Sequence, residues 1–223
     1  ALGVLQRVRV LQPLAGLDED EHRLLQRQRR PPRAHELVDL LEVRAVDELH
    51  RHVAEAPLGL AHAVLVSEAA LGGGAFCMYL GDNLIGCGIE KFVDTFNSTK
   101  ADAVILLKPV DNPQSFGVAQ ADASGRIVSL EEKPKNPKSN LALVGVYMFG
   151  PEIFVSAKRI RPSFRNELEI TDAIQYLVEK RYVVNAHVHQ GWWIDTGAPG
   201  DMLDANRLVL QELSPRVDGW VDR

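Results

Sequence analysis

The chain has 223 residues, 46% hydrophobic and 25% charged, with a formal net charge of −5. That is the composition of a globular protein, long enough for one large domain or a domain with an appendage. The acidic balance excludes general nucleic-acid binding, which carries a basic excess, and no apolar run approaches the ~20 residues of a membrane span.

Residues 1–55 differ from the rest. They contain no Lys, Asn, Ser, Thr, Ile, Met, Cys, Phe, Tyr or Trp. Ser and Lys are among the commonest residues of globular domains, so their joint absence is unusual. Ala1–Arg7 lacks the charged region and cleavage site of a signal peptide, which points to the cytoplasm. Asp18–Arg30 is a charged stretch, closed by Pro31-Pro32. Ala34–Glu55 has the spacing of an amphipathic helix, with Leu37, Leu40, Leu41, Val46, Leu49 and Val53 near one face. The segment has no aromatic residue and no plausible strand, so it is expected to add little to a sheet. It reads either as a helical appendage or as a stretch that is not the natural amino terminus, for example out-of-frame translation of a GC-rich gene. The missing residue types are largely those with AT-rich codons, which favours the second.

From Ala56 the pattern alternates between strands and helices. Leu60–Leu71 reads as a helix, Ala75–Leu80 as a strand and Ile89–Asn97 as a helix. Ala103–Leu107 is an apolar run suited to a central strand. Val118–Asp122 and Arg126–Glu131 flank Ala123-Ser124-Gly125, a hairpin signature. Leu141–Phe149 reads as a strand and Glu152–Ile160 as a helix. Thr171 is placed to cap a helix, with Asp172 in its first turn. Tyr182–His189 alternates as a strand does. Pro199–Leu213 reads as a helix with Met202, Leu203, Ala205, Leu208, Val209 and Leu213 mostly on one side. The expected division is 1–55 as an atypical segment, 56–213 as an α/β domain and 214–223 as a tail. Its sheet is expected to be mostly parallel and covered on both faces.

Two apolar runs end in an Asp beside a Gly: Met78-Tyr79-Leu80-Gly81-Asp82-Asn83 and Gly191-Trp192-Trp193-Ile194-Asp195-Thr196-Gly197. Each alone reads as a strand-ending turn. Together, on neighbouring strand ends, the two carboxylates would make an oxygen-ligand site for Mg²⁺, at the end of the sheet where ligands bind in open α/β folds. Glu131-Glu132-Lys133-Pro134 ends the hairpin. It is a solvated charge run, or a Lys that holds a phosphate while the acid accepts sugar hydroxyls. Arg165 is a candidate anion contact before the acidic stretch Asn166–Asp172, which also suits helix capping. His50 with His52, and His187 with His189, have the i, i+2 spacing that would share a face of a strand, but no third ligand follows at zinc spacing. They read as surface or strand-edge histidines. Cys77 and Cys87 have no metal spacing and are expected to be buried and reduced. Gly72-Gly73-Gly74 lacks the Lys-Ser/Thr of a P-loop, and there is no serine nucleophile elbow.

The motifs together resemble those of the sugar-1-phosphate nucleotidyltransferases. Glu55-Ala56-Pro57-Leu58-Gly59-Leu60-Ala61-His62-Ala63 is similar to the family's nucleotide-contacting turn. Met78–Asn83, Phe116–Asp122, Glu131–Pro134, Asn140–Phe149, Arg165–Ile174 and Gly191–Gly197 follow in the family's order. Within the family the chain most resembles the glucose-1-phosphate thymidylyltransferases of the longer archaeal and actinobacterial type, over about residues 55–210. The resemblance implies a Rossmann-like nucleotidyltransferase domain with a mostly parallel mixed sheet, its amino-terminal part atypical or missing. It implies that Asp82 and Asp195 are catalytic and hold Mg²⁺, with Asp82 and Gly59 also at the nucleotide. It implies sugar-phosphate binding by Gly117, Glu132, Lys133, Gly145, Arg165 and Trp193, all bordering one crevice. The implied reaction transfers dTMP from dTTP to glucose 1-phosphate and releases pyrophosphate. Expected partners are a nucleoside triphosphate and a sugar 1-phosphate, with no nucleic acid and no membrane. A homo-oligomer is allowed; the sequence sets no oligomeric state.

The chain departs from the family's pattern in residues 1–55, which hold no G-x-G-T-R-L triphosphate loop with its following Lys. Ala54 stands where the family's base-reading glutamine lies. Relatives of the longer type continue into a left-handed β-helix, which this sequence does not show. The expectation is therefore a chain with slow or no turnover of its own, and an unpaired strand edge beside the crevice. Two alternatives stand beside thymidylyl transfer. One is a non-catalytic sugar-phosphate-binding or regulatory subunit. The other is a uridylyl-, guanylyl- or cytidylyltransferase of the same fold.

Overall fold

The computed structural model describes residues 8–11 and 58–213. The expected helix of 34–55, the charged stretch 18–30, His50 and His52, and the tail 214–223 lie outside the described residues, as does most of Glu55–Leu58.

The strands are β1 (Val8–Leu11), β2 (Phe76–Leu80), β3 (Asn83–Ile85), β4 (Ala103–Pro109), β5 (Gly117–Ala121), β6 (Ile127–Glu132), β7 (Leu141–Phe149), β8 (Val184–Val188) and β9 (Trp193–Asp195). The helices are α1 (Leu60–Ser67), α2 (Glu90–Thr99), α3 (Glu152–Ala157), α4 (Ile170–Glu179) and α5 (Pro199–Glu212). Among the described residues the main sheet runs β1-β2-β7-β4-β8, with hairpin β5–β6 joined to it through β5 and β7. β3 and β9 form a separate two-stranded ribbon.

The sheet is mixed. β7 is antiparallel to both β2 and β4, while β4 and β8 are parallel. β2, β4 and β8 thus share a direction, but inserted β7 makes most of the described pairing antiparallel. Residues 111–149 contain no crossover helix, and without one consecutive strands pair antiparallel.

A strand in residues 1–55 was not expected, and this is corrected. Val8-Arg9-Val10-Leu11 forms β1, antiparallel to β2, with Val8 opposite Leu80 and Leu11 opposite Cys77. Valine and leucine suit a pleated edge. The backbone of β2 therefore has a strand on the edge expected to be unpaired.

Alternation along the strands supplies two cores. On one face Phe76, Met78, Ile105, Leu107, Tyr147 and Phe149 meet Val64 of α1, Ile153 and Phe154 of α3 and Ile174 and Leu177 of α4. Phe76 stacks on Phe154 with ring centroids 5.4 Å apart. On the other face Cys77, Val104, Leu106, Val146 and Met148 meet Phe92 of α2. Burial of side chains this size stabilises by about 1.5–3 kcal/mol each, which explains why Ala103–Leu107 reads as a continuous apolar run.

Three further expectations are corrected. The apolar residues of α5 do not form a buried side: Ala205 is buried, while Met202, Leu203, Val209 and Leu210 are exposed. They share one side of the helix, but no element packs over it: the helix rests chiefly on β9. Cys87 is exposed and only Cys77 is buried, its thiol pushed up to about 12 by desolvation. His189 is not a surface residue but is 6% exposed, because the loop that follows β8 folds over it and Lys108 Nζ donates to the Gly191 carbonyl at 2.7 Å. No helix among the described residues is long and apolar enough to cross a membrane.

Candidate active site

The site begins with a fork in the sheet. One edge of β7 faces β4 along its length. The other edge is shared: β2 takes Val146–Phe149, and β5 takes Leu141–Ala142. Leu143, Val144 and Gly145 lie between these pairings. The carboxyl end of β2 and the amino end of β5 both approach that gap. The β4–β7 register also slips here, between Ile105 and Leu107, and Gly145 has φ +77°. A glycine adopts this backbone without a Cβ clash.

Chain direction then brings the polar residues in. After β2 the chain passes Gly81-Asp82 and leaves the main sheet to form β3, which pairs with β9. Asn83 is opposite Asp195 in that ribbon. Thr196 closes it, donating its backbone N–H (2.7 Å) and its hydroxyl (2.8 Å) to the Asp82 carbonyl. Asp82 and Asp195 are thus neighbours at one end of the sheet, and Asp195 feels the charge of Asp82. Burial first, and that like charge second, hold the Asp195 carboxyl above the usual carboxylate range; Lys133 opposes them.

Across the fork, Gly117 opens β5 directly opposite Glu132 at the end of β6. A Cβ on Gly117 would lie 3.1 Å from Glu132 Oε2 and 3.0 Å from a Thr171 methyl, so its absence admits both side chains. Glu132 accepts the Thr171 hydroxyl at 2.6 Å and an Arg165 N–H at 3.5 Å. Thr171 is therefore not the helix cap. Glu169 occupies that position, and Thr171 lies buried in the first turn facing Glu132. Arg165 is shared among three carboxylates: Glu169 at 2.8 Å, Glu167 at 3.2 Å and Glu132 at 3.5 Å. The hydrogen bond to Glu169 raises its proton affinity further. Lys133 follows at φ +43°, and its N–H donates to the Phe116 carbonyl at 3.1 Å. Left-handed backbone is unusual for a lysine, doubly so before Pro134.

Trp193 joins the two halves. Its ring packs steeply against that of Phe116 with centroids 5.1 Å apart, and its indole N–H donates to Asn83 Oδ1 at 2.7 Å. The expected site residues Asp82, Asp195, Gly117, Glu132, Lys133, Gly145, Arg165 and Trp193 thus lie around the fork. Gly59 stands at the start of α1 with φ +100°, and an added Cβ would meet the Leu168 backbone at 2.6 Å. Leu168 N–H donates to the Leu58 carbonyl, and its own carbonyl accepts Ala61 N–H. Glycine at 59 therefore has a packing reason, the close approach of residues 167–168, which ties this turn to the Arg165 loop. Asn83, Phe116 and Thr171 were missed as site residues. Phe116, Asn83 and Thr171 sit inside the motifs, but turn and capping chemistry account for Asn and Thr equally well.

Among the described residues, no group of three or more His, Cys, Asp and Glu side chains could hold a metal. Mg²⁺ is usually held by one or two carboxylates together with substrate phosphates and water. The Asp82–Asp195 pair, partly desolvated and mutually repelling, fits that donor set.

The nucleotidyl transferase family profile matches residues 20–212, reaching further towards the amino terminus than the motifs do. A glucose-1-phosphate thymidylyltransferase of Streptomyces antibioticus is 53% identical over 167 residues, 74% of this chain and 47% of that protein. The chain spans about half the length of the curated relatives it matches. A solved structure described as a glucose-1-phosphate thymidylyltransferase from Bacillus anthracis, in complex with sucrose, superposes with a TM-score of 0.62 at 36% identity, over 71% of this chain and 63% of that one. A UDP-glucose pyrophosphorylase complexed with UDP-glucose gives a TM-score of 0.64 at 26% identity, over 70% of this chain and 63% of that one.

Proposed function

The chain belongs to the nucleotidyl transferase family, and on that premise we propose that the fork is the sugar-phosphate and metal half of a thymidylyltransferase site. The reaction is attack by a phosphate oxygen of glucose 1-phosphate on the α-phosphorus of dTTP. A new P–O bond forms, the bond to the β-phosphate oxygen breaks, and pyrophosphate leaves. The observation that carries this reading is the convergence of Asp82 and Asp195 with Glu132 and Lys133 on one gap in the sheet.

Each residue has a role that its chemistry supports. Asp82 and Asp195 would hold Mg²⁺, which offsets charge on the phosphates. Lys133 supplies an ammonium for the sugar phosphate, a charge-assisted contact. Glu132, fixed by Thr171 and Arg165, accepts sugar hydroxyls. Gly117 and Gly145 keep the floor open, Trp193 walls it, and Gly59 lies at the nucleotide side. Arg165 serves the sugar phosphate chiefly by orienting Glu132 for the sugar hydroxyls, since its own charge is engaged by carboxylates. Positioning of the two substrates does most of the remaining work. The two unpaired cysteines fit a reducing, cytoplasmic setting.

Uridylyl transfer is the competing reading, favoured by the structural likeness to a UDP-glucose pyrophosphorylase. The test has two parts. Tryptophan fluorescence should report binding of glucose 1-phosphate and dTDP-glucose, because Trp193 walls the crevice. Competition for that binding by dTTP and UTP, which needs no turnover, should favour dTTP. Failure to bind any of these sugar phosphates would sink the proposal, and preference for UTP would replace the nucleotide.

A further inference from the structure

Asn83 is 5% exposed, although it is polar and sits between two candidate metal carboxylates. A buried amide needs hydrogen-bond partners to offset its lost hydration. Here both partners of its side chain belong to the site. Its Oδ1 accepts the Trp193 indole N–H at 2.7 Å. Its Nδ2 donates to Asp82 Oδ1 at 2.8 Å. Its backbone carbonyl accepts the Tyr79 hydroxyl at 3.2 Å. Gly145 lies against its amide, closely enough that a Cβ there would be 3.0 Å from Nδ2.

The orientation of the amide follows from donor chemistry. An indole N–H donates and cannot accept, so the amide atom facing it must be the oxygen. The nitrogen is then turned towards Asp82, where a carboxylate accepts. Trp193 thereby decides which atom of Asn83 meets Asp82. Aspartate in place of Asn83 would satisfy Trp193 but bring a second anion to Asp82. Alanine would satisfy neither. Only an amide serves a donor on one side and an acceptor on the other at this length.

We infer that Asn83 is a positioning residue for the cation site: with its orientation set by Trp193, it fixes the Asp82 carboxylate in the direction required to share a divalent cation with Asp195. This rests on the proposed metal role of Asp82 and Asp195. It also couples the two halves of the crevice. Lys133 is tied to Phe116, Phe116 to Trp193, Trp193 to Asn83, and Asn83 to Asp82. A shift at the sugar-phosphate side therefore reaches the metal side through four contacts.

The experiment uses the full 223-residue chain and Mn²⁺ alone as the probe, its binding followed by electron paramagnetic resonance. Groups that orient metal ligands typically contribute about 10–100-fold in metal affinity. Asn83→Ala should weaken Mn²⁺ on the order of 10-fold, Asn83→Asp should not restore it, and Trp193→Phe should weaken it by a smaller factor. The Asn83→Ala, Trp193→Phe double variant should bind as Asn83→Ala does, because residues acting through one network are not additive. A second readout needs no metal. With ¹⁵N-labelled tryptophan, the Trp193 indole N–H resonance should shift and exchange faster in Asn83→Ala. Retention of parental Mn²⁺ affinity in Asn83→Ala, while Asp195→Asn loses it, would overturn the positioning role. Unchanged affinity in Asp195→Asn as well would overturn the inference together with the metal reading beneath it. If Asn83→Ala does not fold, Trp193→Phe decides: parental Mn²⁺ affinity there overturns the network.

Discussion

Gly145→Ala tests the geometry of the fork most directly. Gly145 has φ +77°, and an added Cβ would lie 3.0 Å from Asn83 Nδ2 and 3.0 Å from a Leu80 methyl. Left-handed backbone costs a residue with a Cβ about 1–2 kcal/mol. Asn83 must also move, which puts at risk its two side-chain hydrogen bonds, each contributing about 1 kcal/mol net. The expected loss is about 2–4 kcal/mol, a fall in melting temperature of roughly 5–15 °C for a chain of this size. Gly125→Ala separates the two causes. Gly125 has φ +82° and nothing within 4 Å of its Cβ position, so only the conformational cost of about 1–2 kcal/mol remains. Urea unfolding followed by circular dichroism should be measured for both variants and for each in an Asn83→Ala background. Gly145→Ala should be costlier than Gly125→Ala in the parent, and the excess should shrink without the Asn83 amide. Equal costs for the two glycines, unchanged by Asn83→Ala, would refute the argument that Gly145 is glycine to admit Asn83.

Other consequences follow from the same geometry. Lys133→Ala should weaken glucose 1-phosphate binding roughly 10–100-fold, the value of a charge-assisted hydrogen bond of about 1.5–3 kcal/mol; a fluorescence titration unchanged from the parent would return Glu131–Pro134 to a solvated charge run. Asp195 has a raised pKa in the fold, so its stability contribution is full below its ordinary value and lost as pH rises through the folded one. Asp195→Asn should therefore stabilise the cation-free protein at neutral pH, with the gain shrinking as pH falls towards the ordinary value; melting curves across that range check the sign. Arg165→Ala leaves Glu169, the least exposed of its partners, without its cation, and should cost about 3 kcal/mol in urea unfolding. Residues 1–55 carry no G-x-G-T-R-L run, and one oriented donor is worth about 3–4 kcal/mol of barrier; a pyrophosphate-release assay should therefore find this chain slow, and ordinary turnover would contradict that expectation.

Much of the architecture was legible because its signals are local. Continuous apolar residues in Ala103–Leu107 demand burial on both faces, and Ala123-Ser124-Gly125 between apolar runs demands a hairpin. The order of the motifs identified the family and singled out Asp82 and Asp195, which the fold brings together. Local pattern also misled. Thr171 has the residue type of a cap, yet Glu132 lies across the fork to accept its hydroxyl. The apolar residues of α5 suggested a buried side, but only Ala205 is fully buried.

What the sequence by itself determined is the list of strands, helices and chemically suited residues, since these depend on periodicity and side-chain type within a few positions. What only the tertiary structure decided is where they meet. Asn83 and Asp195 are 112 residues apart in sequence and opposite each other in a ribbon of two short strands. Gly117, Glu132 and Gly145 share a gap because β2 and β5 divide one edge of β7. Pairing between strands is set by which edges remain open once the core is packed, and no residue type in either strand encodes its partner. Asn83 shows the difference most plainly. In sequence it is a turn residue after an aspartate, and only the arrival of Trp193 and Gly145 against its amide gives it a direction.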